Sequence, residues 1–299
     1  MLVSFEVTKP PLHHLPLSTF HYPLIHLEAK KSLGQNFLVD PKIHEKIVAR
    51  IAPQSEDVVI EIGPGTGLLT RHLLASPLKR VIAFELDTRA IPELRQEFAD
   101  QGERFQVFEQ DFLTVNLQEI AEREGGTLRV AGNIPYYITS PILFKLIDER
   151  SAIQDATLLI QKEVSDRLTA APGTKAYGIP TVLANFFGEV KPLFKVSAGS
   201  FRPVPKVDSA LVSIDFSRGY FERSGIVRPE GFDESAFRKL VRGLFAMRRK
   251  TVRNNLRSMH SSDAMDRIER SALSNLLTLR AEVLEIPDFL NLTAIITEQ

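Results

Sequence analysis

Val58-Val59-Ile60-Glu61-Ile62-Gly63-Pro64-Gly65-Thr66-Gly67 decides how the chain is read. Its first half is apolar and β-branched apart from Glu61, which predicts a buried strand. Three glycines then turn the chain, and Leu68, Leu69, Leu73 and Leu74 predict a helix behind the turn. A strand, a glycine turn and a helix make a nucleotide-type site, because backbone without Cβ atoms can approach a ligand closely. The third glycine falls one residue early for the dinucleotide pattern. No Gly-Lys-Ser/Thr follows, which excludes a phosphate-cradling P-loop.

Downstream, Val81-Ile82-Ala83-Phe84 predicts a second strand ending in Glu85, about 20 residues after the first glycine, where an acid bonding ribose hydroxyls belongs. Asp87 is expected to cap the next helix, whose Ile91, Leu94 and Phe98 fit a 3.6 period. A third strand over 105–110 ends in Asp111, an acceptor suited to an adenine amine. A fourth, Leu128-Arg129-Val130-Ala131, delivers Gly132 and Asn133. Ligands of open parallel sheets bind at the carboxyl ends of the strands, so these acids and Asn133 are expected to share one edge with Gly63 and Gly65. Ser140-Pro141 predicts a helix start, 157–160 a fifth strand and 162–169 a helix. The loop 171–178 is exposed by composition, and strands over 189–196 and 210–216 would close the sheet as an antiparallel pair. The fold class is therefore α/β, a Rossmann-like sheet.

At the sheet edge stands Asn133-Ile134-Pro135-Tyr136. An adenine amine is a poor nucleophile because its lone pair is delocalised into the ring. Two acceptors on its two N–H groups, the Asn133 side-chain oxygen and the Ile134 carbonyl, would draw the nitrogen towards tetrahedral geometry. They would also stabilise the positive charge that develops as it attacks a sulfonium methyl. Pro135 cannot donate and stiffens the turn, while Tyr136 offers a face for stacking. An ordinary turn of Asn and Pro is the plainer reading of these four residues taken alone.

Upstream, Asp40-Pro41 predicts a helix start, with Ile43, Ile47, Val48 and Ile51 at helical spacing. Gln35, Asn36 and Phe37 precede it, placed to cap a ligand. Residues 1–29 form a leader with Pro10, Pro11, Pro16 and Pro23 and with His13, His14, His21 and His26. The His spacing matches no ligand motif, so no metal site is expected, and a flexible tail is the reading. It lacks the arginines of a transit peptide, and a non-Met start near 24–27 is expected.

Phe201-Arg202-Pro203-Val204-Pro205-Lys206-Val207-Asp208-Ser209 is stiffened by two prolines and expected not to pair as a strand. Phe201 is placed to stack on the far face of a base, with Arg202 and Lys206 placed to meet phosphate. From 218 the pattern turns helical, which divides the chain into the leader, a catalytic unit 30–217 and a helical unit 218–299. Phe237, Leu240, Val241, Leu244 and Phe245 form an apolar stripe. Arg238, Lys239, Arg242, Arg248, Arg249, Lys250, Arg253 and Arg257 run without an intervening acid. That concentration predicts contact with a phosphate backbone, chiefly through Arg248, Arg249, Lys250 and Arg253.

The 299 residues carry a formal net charge of +0 and no Cys, with 43% hydrophobic and 25% charged residues. These values are those of an ordinary globular chain. Without Cys there is no thiolate nucleophile and no Cys-ligated zinc, which excludes pyrimidine methylation through a Cys adduct. No apolar run approaches the roughly 18 residues that span a bilayer, and a cytoplasmic monomer is expected.

Gln35-Asn36-Phe37-Leu38, the Glu61-to-Gly67 loop, Asn133-Ile134-Pro135-Tyr136-Tyr137 and Phe201-Arg202-Pro203-Val204-Pro205-Lys206-Val207 together resemble the ribosomal RNA adenine dimethyltransferase family. The resemblance implies a class I methyltransferase sheet that uses S-adenosylmethionine. It implies N6 dimethylation of two adjacent adenosines near the 3′ end of 16S RNA in the small ribosomal subunit. By motif, Asn36, Leu38, Gly63, Gly65, Glu85, Asp111 and Asn133 would line the cofactor site. Asn133, Ile134, Pro135 and Tyr136 would handle the base, with Phe201 opposite. The base must leave its stack to reach such a pocket, and a basic helical unit that reads RNA shape fits that need. Three other readings stand beside this one: a large-subunit adenine methyltransferase conferring macrolide resistance, a DNA adenine methyltransferase, and a non-catalytic ribosome-assembly or transcription factor on the same fold.

Overall fold

The computed structural model describes residues 27–298. The expected flexible tail and alternative start lie almost wholly outside the described residues; of the leader, only 27–29 are seen. In chain order, β1 (Phe37–Leu38) and α1 (Pro41–Ile51) precede β2 (Val58–Ile62) and α2 (Leu68–Leu74). Then come β3 (Arg80–Glu85), α3 (Ala90–Glu97), β4 (Phe105–Glu109), α4 (Leu117–Glu124), β5 (Leu128–Asn133) and α5 (Thr139–Asp148). They are followed by β6 (Ile153–Gln161), α6 (Lys162–Leu168), α7 (Ile179–Phe187), β7 (Glu189–Val196), β8 (Phe201–Arg202) and β9 (Ser209–Asp215). The chain ends in α8 (Tyr220–Ser224), α9 (Glu234–Ala246), α10 (Val252–Arg257), α11 (Ser262–Arg270) and α12 (Ile286–Thr297).

Seven strands form one sheet in the order β4-β3-β2-β5-β6-β9-β7. The first five are parallel, and β9 runs antiparallel between β6 and β7. The chain winds outward from β2 to β4 and then crosses back to β5. The crevice between β2 and β5 is therefore the topological switch point at which such sheets take their ligands. Gly132 allows the two strands to meet there, because a Cβ at that position would lie 2.8 Å from the Ile62 carbonyl oxygen. β2 is buried along its whole length and alternates between the two faces. Val58, Ile60 and Ile62 join one apolar cluster, and Val59 joins the other with α1, α2 and α3.

Several expectations are met at the level of local chemistry. The Asp40 carboxylate accepts from the Lys42 amide with Pro41 at the first helical position, which caps α1. Others need revision. β6 starts four residues earlier than expected, and α7 was not expected at all. Its sequence, Ile-Pro-Thr-Val-Leu-Ala-Asn-Phe-Phe, is almost wholly apolar because it is packed among α5, α6 and α9, and its two polar side chains, Thr181 and Asn185, are spent on the Arg167 and Leu168 carbonyls of α6. Phe201 and Arg202 do pair, with Leu38 and Phe37, since the prolines that would block pairing come only afterwards.

The apolar core does not stop at residue 217. Phe237, Leu240, Val241 and Leu244 belong to the same cluster as Ile60 and Val130 of the sheet. The Phe186 and Phe237 rings meet at 4.1 Å, with Phe187 and Phe232 around them. Among the described residues no helix is long and apolar enough to cross a membrane.

Candidate active site

A cavity opens at the carboxyl edge of the sheet, at the switch point. The turns after β2, β3, β4 and β5 contribute to it, and the segment ahead of α1 lies along it. Asn36, Gly63, Gly65, Glu85, Asp111, Asn133, Ile134, Pro135, Tyr136 and Phe201 all border it. Leu38 does not. Its buried side chain faces a smaller adjoining recess with Glu61 and His44.

The glycine turn owes its shape to backbone conformations that favour glycine. Gly63, Gly65 and Gly67 have φ of 64°, 53° and 73°, the left-handed region that side chains resist. A Cβ on Gly65 would also sit 3.0 Å from the Phe37 ring. The Gly65 amide donates to Glu85 Oε2 at 3.0 Å, and the Leu86 and Asp87 amides both donate to Oε1 at 2.8 Å. Burial raises the Glu85 carboxyl above the ordinary range, and these three amides oppose that shift. Asp111 caps the short 3-10 turn after β4 through the Leu113 amide, at 2.9 Å.

Asn133 is the informative residue. Its Nδ2 donates to the Asn36 carbonyl at 2.9 Å, which assigns the nitrogen end of the amide. Its oxygen is thereby left as an acceptor at the cavity. The Ile134 amide is used on the Leu159 carbonyl, at 3.0 Å, while its own carbonyl accepts no hydrogen bond from a described residue. The Tyr136 hydroxyl and Ser209 Oγ are 3.0 Å apart, which pins the ring to the start of β9.

No Lys, Arg or His borders this cavity among the described residues, whereas Glu85 and Asp111 do. The polar groups offered are mostly acceptors. Such a site suits a ligand rich in N–H groups or carrying positive charge, and it disfavours a phosphate.

Phe201 departs from expectation. It reaches the cavity wall but is only 1% exposed, packed in the core against β1, so it has no open face of the kind expected for stacking. Tyr137, by contrast, is 58% exposed at the cavity rim, although its sequence context marks it only as the last residue of a motif. Phe37 and Glu61 also do more than their sequence context suggests. The Glu61 carboxyl, pushed up to about 8 by burial, accepts from Thr70 Oγ at 2.7 Å beneath the glycine turn. A charged residue inside an otherwise apolar strand is the signal that could have found it.

The basic stretch is not one helix. Arg248, Arg249 and Lys250 lie in the turn between α9 and α10. Arg248 is engaged within the chain: its Nη2 donates to the Tyr177 and Lys175 carbonyls at 2.9 and 3.1 Å, with Glu282 nearby. Arg253 and Arg257 pair with Glu269, and Arg238 pairs with Asp148 and Glu234. Arg202 turns back onto the Gly199 and Phe201 carbonyls. Arg249 and Lys250 remain exposed without an ion-pair partner among the described residues, as does Lys206 on its loop.

The chain is similar to known proteins over most of its length. The family described as Ribosomal RNA adenine dimethylase matches residues 26–297. The chain is 42% identical to Ribosomal RNA small subunit methyltransferase A of Chlorobium phaeobacteroides, over 92% of this chain and 97% of that one. It is 43% identical to the protein of the same name from Geobacter metallireducens, over 78% and 82%. Among solved structures, a dimethyladenosine transferase from Plasmodium falciparum superposes with a TM-score of 0.69 at 29% identity, covering 86% of this chain and 95% of that one. The 23S rRNA methyltransferase ErmE superposes with a TM-score of 0.61 at 25% identity, covering 88% and 100%.

Proposed function

Because the chain belongs to the ribosomal RNA adenine dimethylase family, we propose that it dimethylates N6 of two adjacent adenosines near the 3′ end of 16S RNA in the small ribosomal subunit, with S-adenosylmethionine as methyl donor. The observation that carries this reading is a cavity bordered by two unspent acceptors, Asn133 Oδ1 and the Ile134 carbonyl, and by no cationic side chain among the described residues.

When bound, S-adenosylmethionine supplies an electrophilic methyl group on a sulfonium. Gly63 and Gly65 would let it approach the backbone closely, Glu85 would accept from its ribose hydroxyls, and Asp111 would accept from its adenine amine. Asn36 contributes its backbone, as does Leu38 from the neighbouring recess. The target base lies against Tyr136, whose ring Ser209 keeps from turning away. Asn133 Oδ1 and the Ile134 carbonyl take the two N–H bonds of its amine. That geometry frees the nitrogen lone pair and stabilises the charge that develops on it, with both dipoles fixed before reaction. Pro135 holds the two carbonyls at a fixed spacing. The leaving thioether is neutral, so the site needs no general acid. Phe201 supports the wall rather than stacking.

Recognition of the RNA falls to the exposed cations, Arg249, Lys250 and Lys206, and to the helical unit 218–299 behind the unit 30–217. The protein acts as a cytoplasmic monomer. The small-subunit reading is preferred to the large-subunit one because relatives at about 40% identity over most of the chain carry the small-subunit name. The test is methyl transfer from labelled S-adenosylmethionine to under-methylated small subunits, large subunits and DNA, run side by side. Label confined to the small subunit is expected; label on the large subunit alone, or on none of the three, would overturn the proposal.

A further inference from the structure

The segment ahead of α1 crosses the cavity as a strap, and its tie to the sheet is a buried carboxylate with no place in the methyl-transfer chemistry. Asp87 follows β3 by two residues, and its side chain is 0% exposed. Its Oδ2 accepts from Gln35 Nε2 at 3.0 Å and from Arg89 Nη2 at 2.6 Å. Its Oδ1 accepts from Lys30 Nζ at 3.3 Å and from Arg89 Nε at 2.9 Å. Arg89 Nη2 reaches on to the Glu28 carbonyl at 2.9 Å, and Gln35 Oε1 accepts from the Lys30 amide at 2.8 Å. One carboxylate thus holds both ends of the turn 30–35. Beyond it, the Asn36 carbonyl holds the Asn133 amide, and the Val39 amide donates to the Ser200 carbonyl. Gly34, at φ 59°, lies beneath Tyr137, where a Cβ would come within 2.9 Å of that ring.

We infer that Asp87 is a positioning residue: it latches the strap 28–36 over the cavity, sets how fast cofactor enters and leaves, and through Gln35 and Asn36 keeps the Asn133 oxygen turned towards the amine. This rests on the function proposed above. The physical basis is that a buried carboxylate must keep its donors. Two of them, Lys30 and Gln35, come from a half-exposed segment with little apolar burial of its own, so this group is the tie that gathers the amino-terminal part of the strap, while Asn133 holds its far end at Asn36. Hydrogen bonding, from Arg89 first, holds the Asp87 carboxyl well below the ordinary range, so it stays charged when the strap is shut.

Changes on the strap leave the core intact, so Gln35→Ala and Gln35→Glu form the decisive pair, with Asp87→Asn beside them. Hydrogen exchange of 28–36 is measured in the free protein, and release of S-adenosylmethionine is measured by rapid mixing without RNA. Gln35→Ala loses the hydrogen bond to the Asp87 carboxylate and the one accepted from the Lys30 amide, and both rates should rise at least about tenfold. Gln35→Glu sets two carboxylates against each other with no donor between them. It should exceed Gln35→Ala by a further ~10-fold, with an unchanged melting temperature. Asp87→Asn should accelerate exchange in the strap more than elsewhere. Wild-type rates in all three variants, or equal effects of Ala and Glu at position 35, would overturn the latch, because packing alone does not tell an amide from a carboxylate. If the wild-type protein fails to bind S-adenosylmethionine, the proposed function falls, and strap exchange in the free protein still decides the latch.

Discussion

Replacing Asn133 by Ala separates catalysis from stability in a way the structure makes quantitative. The side chain donates one hydrogen bond, from Nδ2 to the Asn36 carbonyl at 2.9 Å, in a half-buried setting. Losing a single neutral bond of that kind costs about 1 kcal/mol, which for a chain of this size lowers the melting temperature by about 1–2 °C. The oxygen, in contrast, is one of two acceptors aimed at a charge that exists only as the amine attacks. Removing one member of such a preorganised pair typically costs about a hundred- to a thousandfold in rate. Single-turnover methylation of under-methylated small subunits at saturating S-adenosylmethionine should therefore fall by about that factor, while subunit binding changes little. Asn133→Asp is the sharper companion. Its carboxylate cannot donate to the Asn36 carbonyl, so two oxygens would face each other and the rate should fall at least as far. Wild-type turnover in Asn133→Ala would refute the assigned role, whatever its melting temperature.

Further expectations concern charge and packing. Glu61 has a folded pKa of about 8 against an ordinary 4.5, so its contribution to stability is intact below about pH 4.5 and lost as pH rises through 8. Glu61→Gln should match wild type in thermal unfolding near pH 4 and exceed it above pH 8; equal melting curves at both ends would disprove the buried acid's protonation. Arg249→Ala with Lys250→Ala should lower RNA affinity and flatten the dependence of log K on log salt by about 0.7–0.9 for each phosphate no longer neutralised. Arg248→Ala should mainly lower the melting temperature instead, because it strands the Lys175 and Tyr177 carbonyls. Phe237→Ala, at a side chain 0% exposed, should cost about 3–5 kcal/mol in denaturant unfolding, in one transition that carries sheet and helical signals together.

The parts of the site that were legible are those where backbone chemistry leaves a local mark. The glycine turn, the strand-end acids and Asn-Ile-Pro-Tyr each announce themselves within a few residues, and the sheet topology brings them to one edge. What escaped depends on partners far along the chain. Arg248 reads as a free cation until its carbonyl partners 71 and 73 residues away are seen. Phe201 reads as a stacking ring until β1 is found across from it. α7 is hard to read because only Thr181 and Asn185 interrupt a short apolar run, too few polar residues to mark a solvent face. Asp87 was expected to cap α3, but that helix starts without a side-chain cap and the Asp87 carboxylate is turned instead to Arg89, Gln35 and Lys30, the last two of them more than 50 residues away in sequence.

The pairing of Tyr136 with Ser209 joins residues 73 apart in sequence, and β1 waits equally on β8. A polypeptide emerging from its amino end therefore completes the glycine turn, both acids and Asn133 well before it owns a closed pocket. Until Ser209 is out, the ring meant to receive the base has nothing to lean on. The wall of the pocket is thus assembled from distant stretches of the chain, and the ring at its mouth is steadied by a hydroxyl supplied from the antiparallel end of the sheet.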